Sequence, residues 1–161
     1  MATLGRDLDA GLAAIERGVR LYPNVPEILS QSGYVLTLVG EQEAALERFK
    51  AALRLNPNNP RAYRVLTGAS IACTLMGRFD GGVTFGEEAR PQHGKWSVTF
   101  RLLTAAYAHL GEAEKAATAL ARYRELAPGS TISLLKNQLP YRNLDQAERL
   151  WSGLRKAGLP E

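Results

Sequence analysis

The stretch at residues 20–24, RLYPN, recurs at residues 54–58 as RLNPN, an interval of 34 residues. A second pair of similar stretches, MGRF at residues 76–79 and LGEA at residues 110–113, has the same interval. A constant interval of roughly 20 to 50 residues is typical of proteins built from stacked copies of one structural unit. The sequence therefore predicts a repeat architecture.

Each unit carries the pattern of two helices joined by a glycine turn. In residues 26–59, small and apolar residues recur at helical spacing on both sides of Gly40. The unit at residues 97–130 has the same arrangement around Gly111. Small residues let the two helices approach closely, but a single helix pair cannot bury its apolar stripe alone. We therefore expect the units to stack.

This period, with its small residues, glycine turn and closing proline, resembles that of the tetratricopeptide repeat family. The resemblance implies an all-α fold, a right-handed α-solenoid of stacked antiparallel helix pairs with C-terminal capping helices. We divide the chain as one domain, residues 1–161, into a partial repeat (1–25), three repeats (26–59, 60–96 and 97–130) and the capping helices (131–161).

The middle repeat is longer than the period, because Gly40 and Gly77 are 37 residues apart. We expect the extra residues to lie in its first helix, lengthening it by roughly 4.5 Å at 1.5 Å per residue. Asn59 followed by Pro60 is a typical helix start, an N-cap before a proline in the first turn. Pro91 should end the second helix of this repeat early.

After residue 130 the sequence predicts two further helices. Thr131 can cap a short helix that Pro140 ends, and Asn143 with Gln146 resembles the capping box of a last helix. The apolar stripe of that last helix consists of Leu144, Ala147, Leu150, Trp151 and Leu154. We interpret this tail as the cap that the end of a solenoid needs. Trp151 is either a core anchor of the cap or an exposed contact for a partner.

Three features resemble a narrower group: the long middle repeat, the LPYR break at residues 139–142 and the GLRKAGLPE ending at residues 153–161. They are similar to the C-terminal tetratricopeptide region of bacterial class III adenylate cyclases and related winged-helix regulators. The resemblance implies a cytoplasmic, regulatory segment of a larger bacterial signalling protein. The cyclase or DNA-binding domain of such a protein would lie outside residues 1–161.

Composition argues against several other classes of protein. The 20 basic and 16 acidic side chains are interspersed, which does not suit nucleic acid, and no apolar run is long enough to span a membrane. The single cysteine, Cys73, excludes an internal disulfide framework and is expected to be a small buried hydrophobe. No catalytic motif is present, so we expect no enzymatic activity, no cofactor and no metal site.

The family resemblance implies that the first helix of each repeat lines a concave groove. By their helical phase, the residues that we predict for a ligand site there are Tyr34, Arg61, Arg64, Arg101 and His109. We expect a protein or peptide partner, and the three arginines suit a carboxylate or an acidic peptide. Two interpretations of the arginines remain open: they bind such a ligand, or they are solvated and pair with acids such as Glu27.

Two further alternatives concern the partner and His109. Some family members clamp a peptide C-terminus with lysine and asparagine, but the corresponding positions here, including Ser30 and Gln31, do not match that clamp. His109 either faces the groove or is packed against its neighbours. The alternative function is self-association into a homodimer, in which a second copy covers the apolar face of the partial repeat.

Overall fold

The computed structural model describes residues 7–161, and these residues form nine α-helices without any β-strand. The first six residues of the predicted partial repeat lie outside this range. The helices are α1 Leu8–Leu21, α2 Pro26–Val39, α3 Gln42–Leu55, α4 Ala62–Met76, α5 Phe79–Ala89, α6 Ser97–His109, α7 Ala113–Leu126, α8 Ile132–Gln138 and α9 Leu144–Lys156. Three successive pairs, α2 with α3, α4 with α5 and α6 with α7, make the most extensive contacts. The predicted all-α solenoid of helix pairs is confirmed.

One phenylalanine shows how the small residues of the repeat hold neighbouring helices together. Phe49 of α3 is fully buried between Gly33 of α2 and Gly68 of α4. A Cβ atom at Gly33 would lie 2.7 Å from the Phe49 ring, and one at Gly68 would lie 2.4 Å from it. Since real Cβ atoms do not approach this closely, the ring fits only because both positions are glycine.

The prediction that the extra residues of the middle repeat lengthen its first helix is mostly wrong. Helix α4 has 15 residues against 14 in α2, while the connection before it, residues 56–61, is two residues longer than residues 22–25. The predicted helix start at Asn59 and Pro60 is also wrong, because α4 begins at Ala62 with Arg61 as its N-cap. Asn59 instead forms a turn, in which its side-chain Oδ1 accepts a hydrogen bond from the Arg61 N–H at 2.9 Å.

Helix α5 ends at Ala89, two residues before Pro91, as predicted. At 11 residues it is shorter than the second helices of the other pairs, α3 and α7, which have 14 each. Residues 90–96 then form an irregular connection. The shortened helix leaves a cleft between α5 and α7.

The capping signals of the tail are confirmed. The Thr131 side chain accepts a hydrogen bond from the Leu134 N–H, and Asn143 accepts one from the Gln146 N–H. Four members of the predicted apolar stripe of α9 are buried, but Leu144 is 73% exposed and was wrongly included. Leu144 has the helical phase of the stripe, but it lies in the first turn of α9, where no neighbouring helix covers it.

The tail helices cover the last repeat and then turn back along the solenoid. Ile132 and Leu135 of α8 share one apolar cluster with Leu120 and Tyr123 of α7. Helix α9 packs mainly against α6 and α4, and it meets the second helices only at the start of α3, where the Gln42 side-chain amide donates to Oε1 of Gln146 at 3.0 Å. Because α4 and α6 are first helices of their pairs, α9 lies on the face that first helices form, which we call the concave face.

Candidate interaction surface

The tail is tied to the concave face by hydrogen bonds near the carboxyl ends of the first helices. The main-chain N–H of Arg142 donates to the Leu38 carbonyl oxygen at 2.8 Å. The side-chain amide of Gln146 donates to the Gly40 carbonyl oxygen at 3.2 Å. The Arg149 guanidinium donates to the carbonyl oxygen of Leu75 in α4. Donors at these positions satisfy carbonyl groups that a helix leaves free in its last turn. Residues 139–157 therefore bridge α2, α4 and α6.

Apolar side chains of α9 also pack against the concave face. Leu150 and Leu154 are fully buried in one cluster with Ile71 and Leu75 of α4 and Leu102 of α6. Trp151 is 4% exposed, which confirms its interpretation as a core anchor. While residues 139–157 are in this position, a ligand cannot reach the part of the concave face that they cover.

His109 is packed rather than open. Its ring stacks on Phe79 with centroids 4.0 Å apart and an interplanar angle of 7°. Its Nε2 lies 2.7 Å from the carbonyl oxygen of Arg149, so Nε2 carries the proton and donates. Burial lowers the pKa of His109 below its ordinary value, although the hydrogen bond to Arg149 opposes this effect. Of its two predicted environments, His109 adopts the packed one.

Tyr34 serves the packing of the first two repeats. Its ring meets Phe49 edge-on with centroids 5.1 Å apart, and its hydroxyl donates to the Arg64 carbonyl oxygen at 2.6 Å. Burial raises the pKa of Tyr34 well above its ordinary value, so the hydroxyl stays protonated and keeps donating. Tyr34 thus positions the helix turn that carries Arg64.

The three predicted arginines do not share one open surface. Arg101 is only 8% exposed and lies beneath the tail, whereas Arg61 and Arg64 are exposed. The phase of α6 was read correctly, but the sequence did not show that residues 139–157 cover this part of the face. Within residues 7–161, no carboxylate lies within 4.0 Å of any of the three guanidinium groups.

Arg61 and Arg64 border a cleft of about 120 Å³ at the amino-terminal ends of α2 and α4, which we call the N-terminal cleft. The Arg64 guanidinium carbon lies 4.9 Å from the centre of the Trp96 ring. The other residues of this cleft are Pro26, Glu27, Ser30, Gln31, Asn59 and Val65. The cleft therefore combines two cationic side chains with one acidic side chain, and Glu27 stays beyond ion-pair distance of both.

Several other arginines are paired with carboxylates. Six arginines of the described chain form ion pairs: Arg48, Arg78, Arg90, Arg122, Arg142 and Arg155. Each of these pairs lies outside the N-terminal cleft. Five other exposed arginines of the described chain also form no ion pair: Arg17, Arg20, Arg54, Arg124 and Arg149. The N-terminal cleft is notable because it brings two unpaired cations and one acid together in one place.

Sequence reasoning missed a larger cleft of about 920 Å³ between α5 and α7. Phe100, Leu103 and Tyr107 of α6 form its floor. The signal that could have revealed it was the short, glycine-rich α5, which Pro91 ends early. The charged groups at its rim already satisfy one another: Glu87 accepts from the Tyr107 hydroxyl at 2.8 Å and pairs with Arg90 at 2.7 Å.

Residues 7–161 contain neither a metal site nor a membrane-spanning helix. No group of three histidine, cysteine or acidic side chains there could hold a metal ion. No helix in this range is long and apolar enough to cross a membrane. Cys73 is buried, as predicted, and burial raises the pKa of its thiol, which keeps it in the unreactive protonated form.

Comparison with known proteins agrees with this geometry. Residues 33–66 match a family model described as a TPR repeat. No curated protein sequence matches the chain significantly.

Many solved structures are similar in fold, including these three. MamA from Desulfovibrio magneticus RS-1 is 20% identical with a TM-score of 0.67, over 94% of this chain and 86% of that chain. PilW, a type IV pilus biogenesis factor, is 16% identical with a TM-score of 0.68, over 92% and 68%. YrrB, a TPR protein with an unusual peptide-binding site, is 16% identical with a TM-score of 0.61, over 94% and 76%. The chain therefore contains a tetratricopeptide repeat at residues 33–66 and has the solenoid fold of helix pairs that such repeats build.

Proposed function

We propose that the protein is a non-catalytic protein-interaction module whose N-terminal cleft binds an acidic segment of a partner protein. Solenoids of this kind present extended surfaces to peptides and proteins. The observation that carries the proposal is the pair of exposed arginines, Arg61 and Arg64, which border one cleft without a carboxylate within 4.0 Å in the described chain.

The chemistry of the cleft suits a carboxylate. A guanidinium group can donate two parallel hydrogen bonds to a carboxylate, and these charge-assisted bonds are stronger than neutral ones. Stacking on Trp96 restrains the Arg64 side chain while leaving its in-plane N–H donors free. The amino-terminal end of α4, which begins at Ala62, adds a partial positive charge at the same place.

Glu27 limits which ligands the cleft can accept. It lies on the α2 side of the cleft, opposite the arginines of α4, and repels a second negative charge. A ligand with one acidic group facing α4 and a neutral polar group facing α2 therefore fits best. Ser30 and Gln31, which also lie on the α2 side, can provide hydrogen bonds to such a group.

The test is binding of a fluorescein-labelled peptide that carries a single glutamate flanked by serines, followed by fluorescence anisotropy. Arg64→Glu should abolish binding while leaving the melting temperature almost unchanged, because Arg64 is exposed and unpaired. Arg54→Glu is the matched control, since it changes the net charge equally at an exposed position of α3 outside the cleft. Equal loss of binding in both variants, or no binding by the unmodified protein, would overturn the proposal.

Self-association is the second candidate function. Among the described helices α1 packs chiefly against α2 and reaches α3 through the Glu16–Arg48 ion pair at 3.5 Å, and at its end Leu21 and Tyr22 are 62% and 57% exposed. A second copy that covers this region would remove large apolar surface from water. Light scattering decides between the candidates, because a monomer that binds the acidic peptide contradicts self-association.

We also propose that the chain is the regulatory part of a larger cytoplasmic bacterial signalling protein of the adenylate cyclase kind. Support comes from the long middle repeat and from the LPYR stretch at residues 139–142, which here connects α8 to α9 across the concave face. The residues encoded upstream of Met1 in the natural gene test this proposal. A cyclase or winged-helix domain there would support it, and an unrelated domain would contradict it.

A further inference from the structure

His109 lies at the interface between α6 and α9, and its ring contacts the carboxyl-terminal half of α9. Its Nε2 donates to the carbonyl oxygen of Arg149 at 2.7 Å and lies 3.3 Å from the hydroxyl oxygen of Ser152. Its Nδ1 lies 3.4 Å from Nζ of Lys156. Because residues 149, 152 and 156 are three and four positions apart, they lie on one side of the helix. A single side chain of the concave face therefore holds two turns of α9.

The contact with Lys156 requires the neutral form of His109. With the proton on Nε2, the Nδ1 atom is an acceptor that can receive a hydrogen bond from the ammonium group of Lys156. A second proton on Nδ1 removes that acceptor and leaves two positive charges 3.4 Å apart. Lys156 is the charged group that α9 presents to the ring, while Arg149 presents its main-chain carbonyl and α5 presents the uncharged ring of Phe79. Within residues 7–161 no carboxylate lies within 4.0 Å of His109 to offset the added charge.

The protonation of His109 is thereby coupled to the position of α9. Burial lowers the pKa of His109 from its ordinary value of 6.5, and the charge of Lys156 lowers it further, although the hydrogen bond to Arg149 opposes both effects. A lowered pKa means that the closed arrangement favours the neutral ring. The stabilisation of the contact between α9 and α6 is therefore complete above about pH 6.5, and it is lost as the pH falls through the lowered pKa.

The connections of α9 suit a segment that moves apart from the helix pairs. Residues 139–143 before it are not helical, and Gly158 after it has a φ of +96°, a left-handed conformation that glycine adopts readily. Among the helices in contact within the described chain, α8 and α9 form the least extensive pair. The apolar cluster that joins α1 to α4 around Phe49 contains no residue of the segment 139–157. The first repeats therefore keep a core of their own when α9 moves.

We propose that α9 is a pH-sensitive lid over the concave face, held closed by neutral His109 and released when His109 takes up a second proton. Release exposes Ile71 and Leu75 of α4 and Leu102 of α6, which share one apolar cluster with α9. Acid thereby makes this part of the concave face reachable from solution. The lid goes beyond the proposed function, and it does not rest on ligand binding at the N-terminal cleft.

The experiment is hydrogen–deuterium exchange of the full chain, read at the main-chain amides of α9 and α3 as protection relative to an unstructured chain at the same pH. With the lid open, His109 has its ordinary pKa of 6.5. Protection in α9 should therefore fall by up to about tenfold between about pH 7.5 and pH 5.5. His109→Phe keeps an aromatic ring against Phe79 but cannot titrate, so it should abolish this fall. His93→Phe is the matched control, because His93 is exposed and stacks on Tyr63 instead, and it should keep the full fall.

Urea separates opening of the lid from unfolding of the whole protein. The dependence of an opening reaction on urea scales with the surface that it exposes, so release of α9 depends weakly on urea and global unfolding depends steeply. At about pH 5.5 the α9 amides should therefore exchange with a weaker urea dependence than the α3 amides. Equal protection and equal urea dependence in α9 and α3, or an undiminished pH response in His109→Phe, would overturn the proposal.

A measurement on the unmodified protein keeps the proposal testable if His109→Phe does not fold. The Cε1–H signal of the His109 ring in NMR spectra follows its titration, and the loss of amide protection in α9 follows the opening of the lid. The two pH profiles should have the same midpoint, because one proton controls both. A different midpoint for the opening of α9 would contradict the lid.

Discussion

Gly153 of α9 lies directly against the backbone of Ala105 in α6. A Cβ atom at Gly153 would be 2.7 Å from the Ala105 carbonyl oxygen and 2.8 Å from Cδ2 of His109. The last helix therefore touches the concave face with its main chain rather than through side chains alone. This contact explains how a 13-residue helix closes a groove that the repeats leave open.

The first prediction concerns this contact. Gly153→Ala should lower the free energy of unfolding by about 1 to 3 kcal/mol, because the new methyl group meets backbone atoms that cannot rotate away. Gly11→Ala in α1 is the control, since a Cβ atom there meets nothing within 4 Å. The control should stabilise the protein by about 0.5 to 1 kcal/mol through helix propensity. Urea denaturation measures both, and stabilisation by Gly153→Ala would contradict the close packing of α9 on α6.

The second prediction concerns the anchor of the tail. Trp151→Ala should destabilise the protein by about 3 kcal/mol, the cost of truncating a large buried aromatic side chain. Leu144→Ala, in the same helix but 73% exposed, should change stability by less than about 0.5 kcal/mol. Thermal and urea denaturation provide the comparison. A small effect of Trp151→Ala would mean that the tail does not hold the concave face closed in solution.

The third prediction concerns pH. The pKa of His109 in the folded protein is lowered from 6.5, so the unfolded chain binds more protons when the pH falls below that value. The stabilisation from neutral His109 is therefore complete above about pH 6.5 and is lost as the pH falls through the folded-state pKa. Protonation would also place a second positive charge beside Lys156, whose Nζ lies 3.4 Å from Nδ1.

The matched variant is His109→Phe, which keeps an aromatic ring against Phe79 but does not titrate. The unfolding free energy of the unmodified protein should decrease more than that of His109→Phe between about pH 7 and pH 5. His93 is present in both proteins and cancels in the difference. Parallel pH profiles for the two proteins would contradict a lowered pKa at His109.

The fourth prediction concerns the acid in the N-terminal cleft. Glu27→Gln should strengthen binding of the single-glutamate peptide by about threefold to tenfold, because it removes one repelling charge from the cleft while keeping the side-chain shape. The same substitution at Glu47, an exposed residue of α3, is the control and should change the affinity far less. Equal effects of the two variants would show that only net charge matters, and that the peptide does not occupy this cleft.

Much of the architecture could be predicted because its signals are local. A 34-residue interval, a glycine at each turn and a small residue facing each large one depend only on neighbouring helices. Phe49 against Gly33 and Gly68 shows this directly, since each contact joins adjacent helices of the stack. The side-chain caps at Thr131 and Asn143 lie within one helix turn and were predicted for the same reason.

The prediction was poorer where the extra length of the middle repeat had to be placed. Periodicity shows how many residues are added between Gly40 and Gly77, but it does not show whether they extend a helix or its preceding connection. The turn at Asn59 decided this, because its side chain accepts the Arg61 N–H before the helix can begin. A single hydrogen bond between near neighbours thus overruled the proline signal.

The sequence by itself determined the helix pairs, the stacking order and the apolar face of the last helix, because each follows from short-range spacing. Only the tertiary structure decided that this face packs on the concave side of the solenoid rather than solely over its end. That decision rests on contacts between residues far apart in the chain, such as Arg149 with Leu75 and Arg142 with Leu38. The tertiary structure also decided which arginines face solvent. Helical phase places Arg64 and Arg101 at equivalent positions, but the tail covers Arg101 and leaves Arg64 exposed.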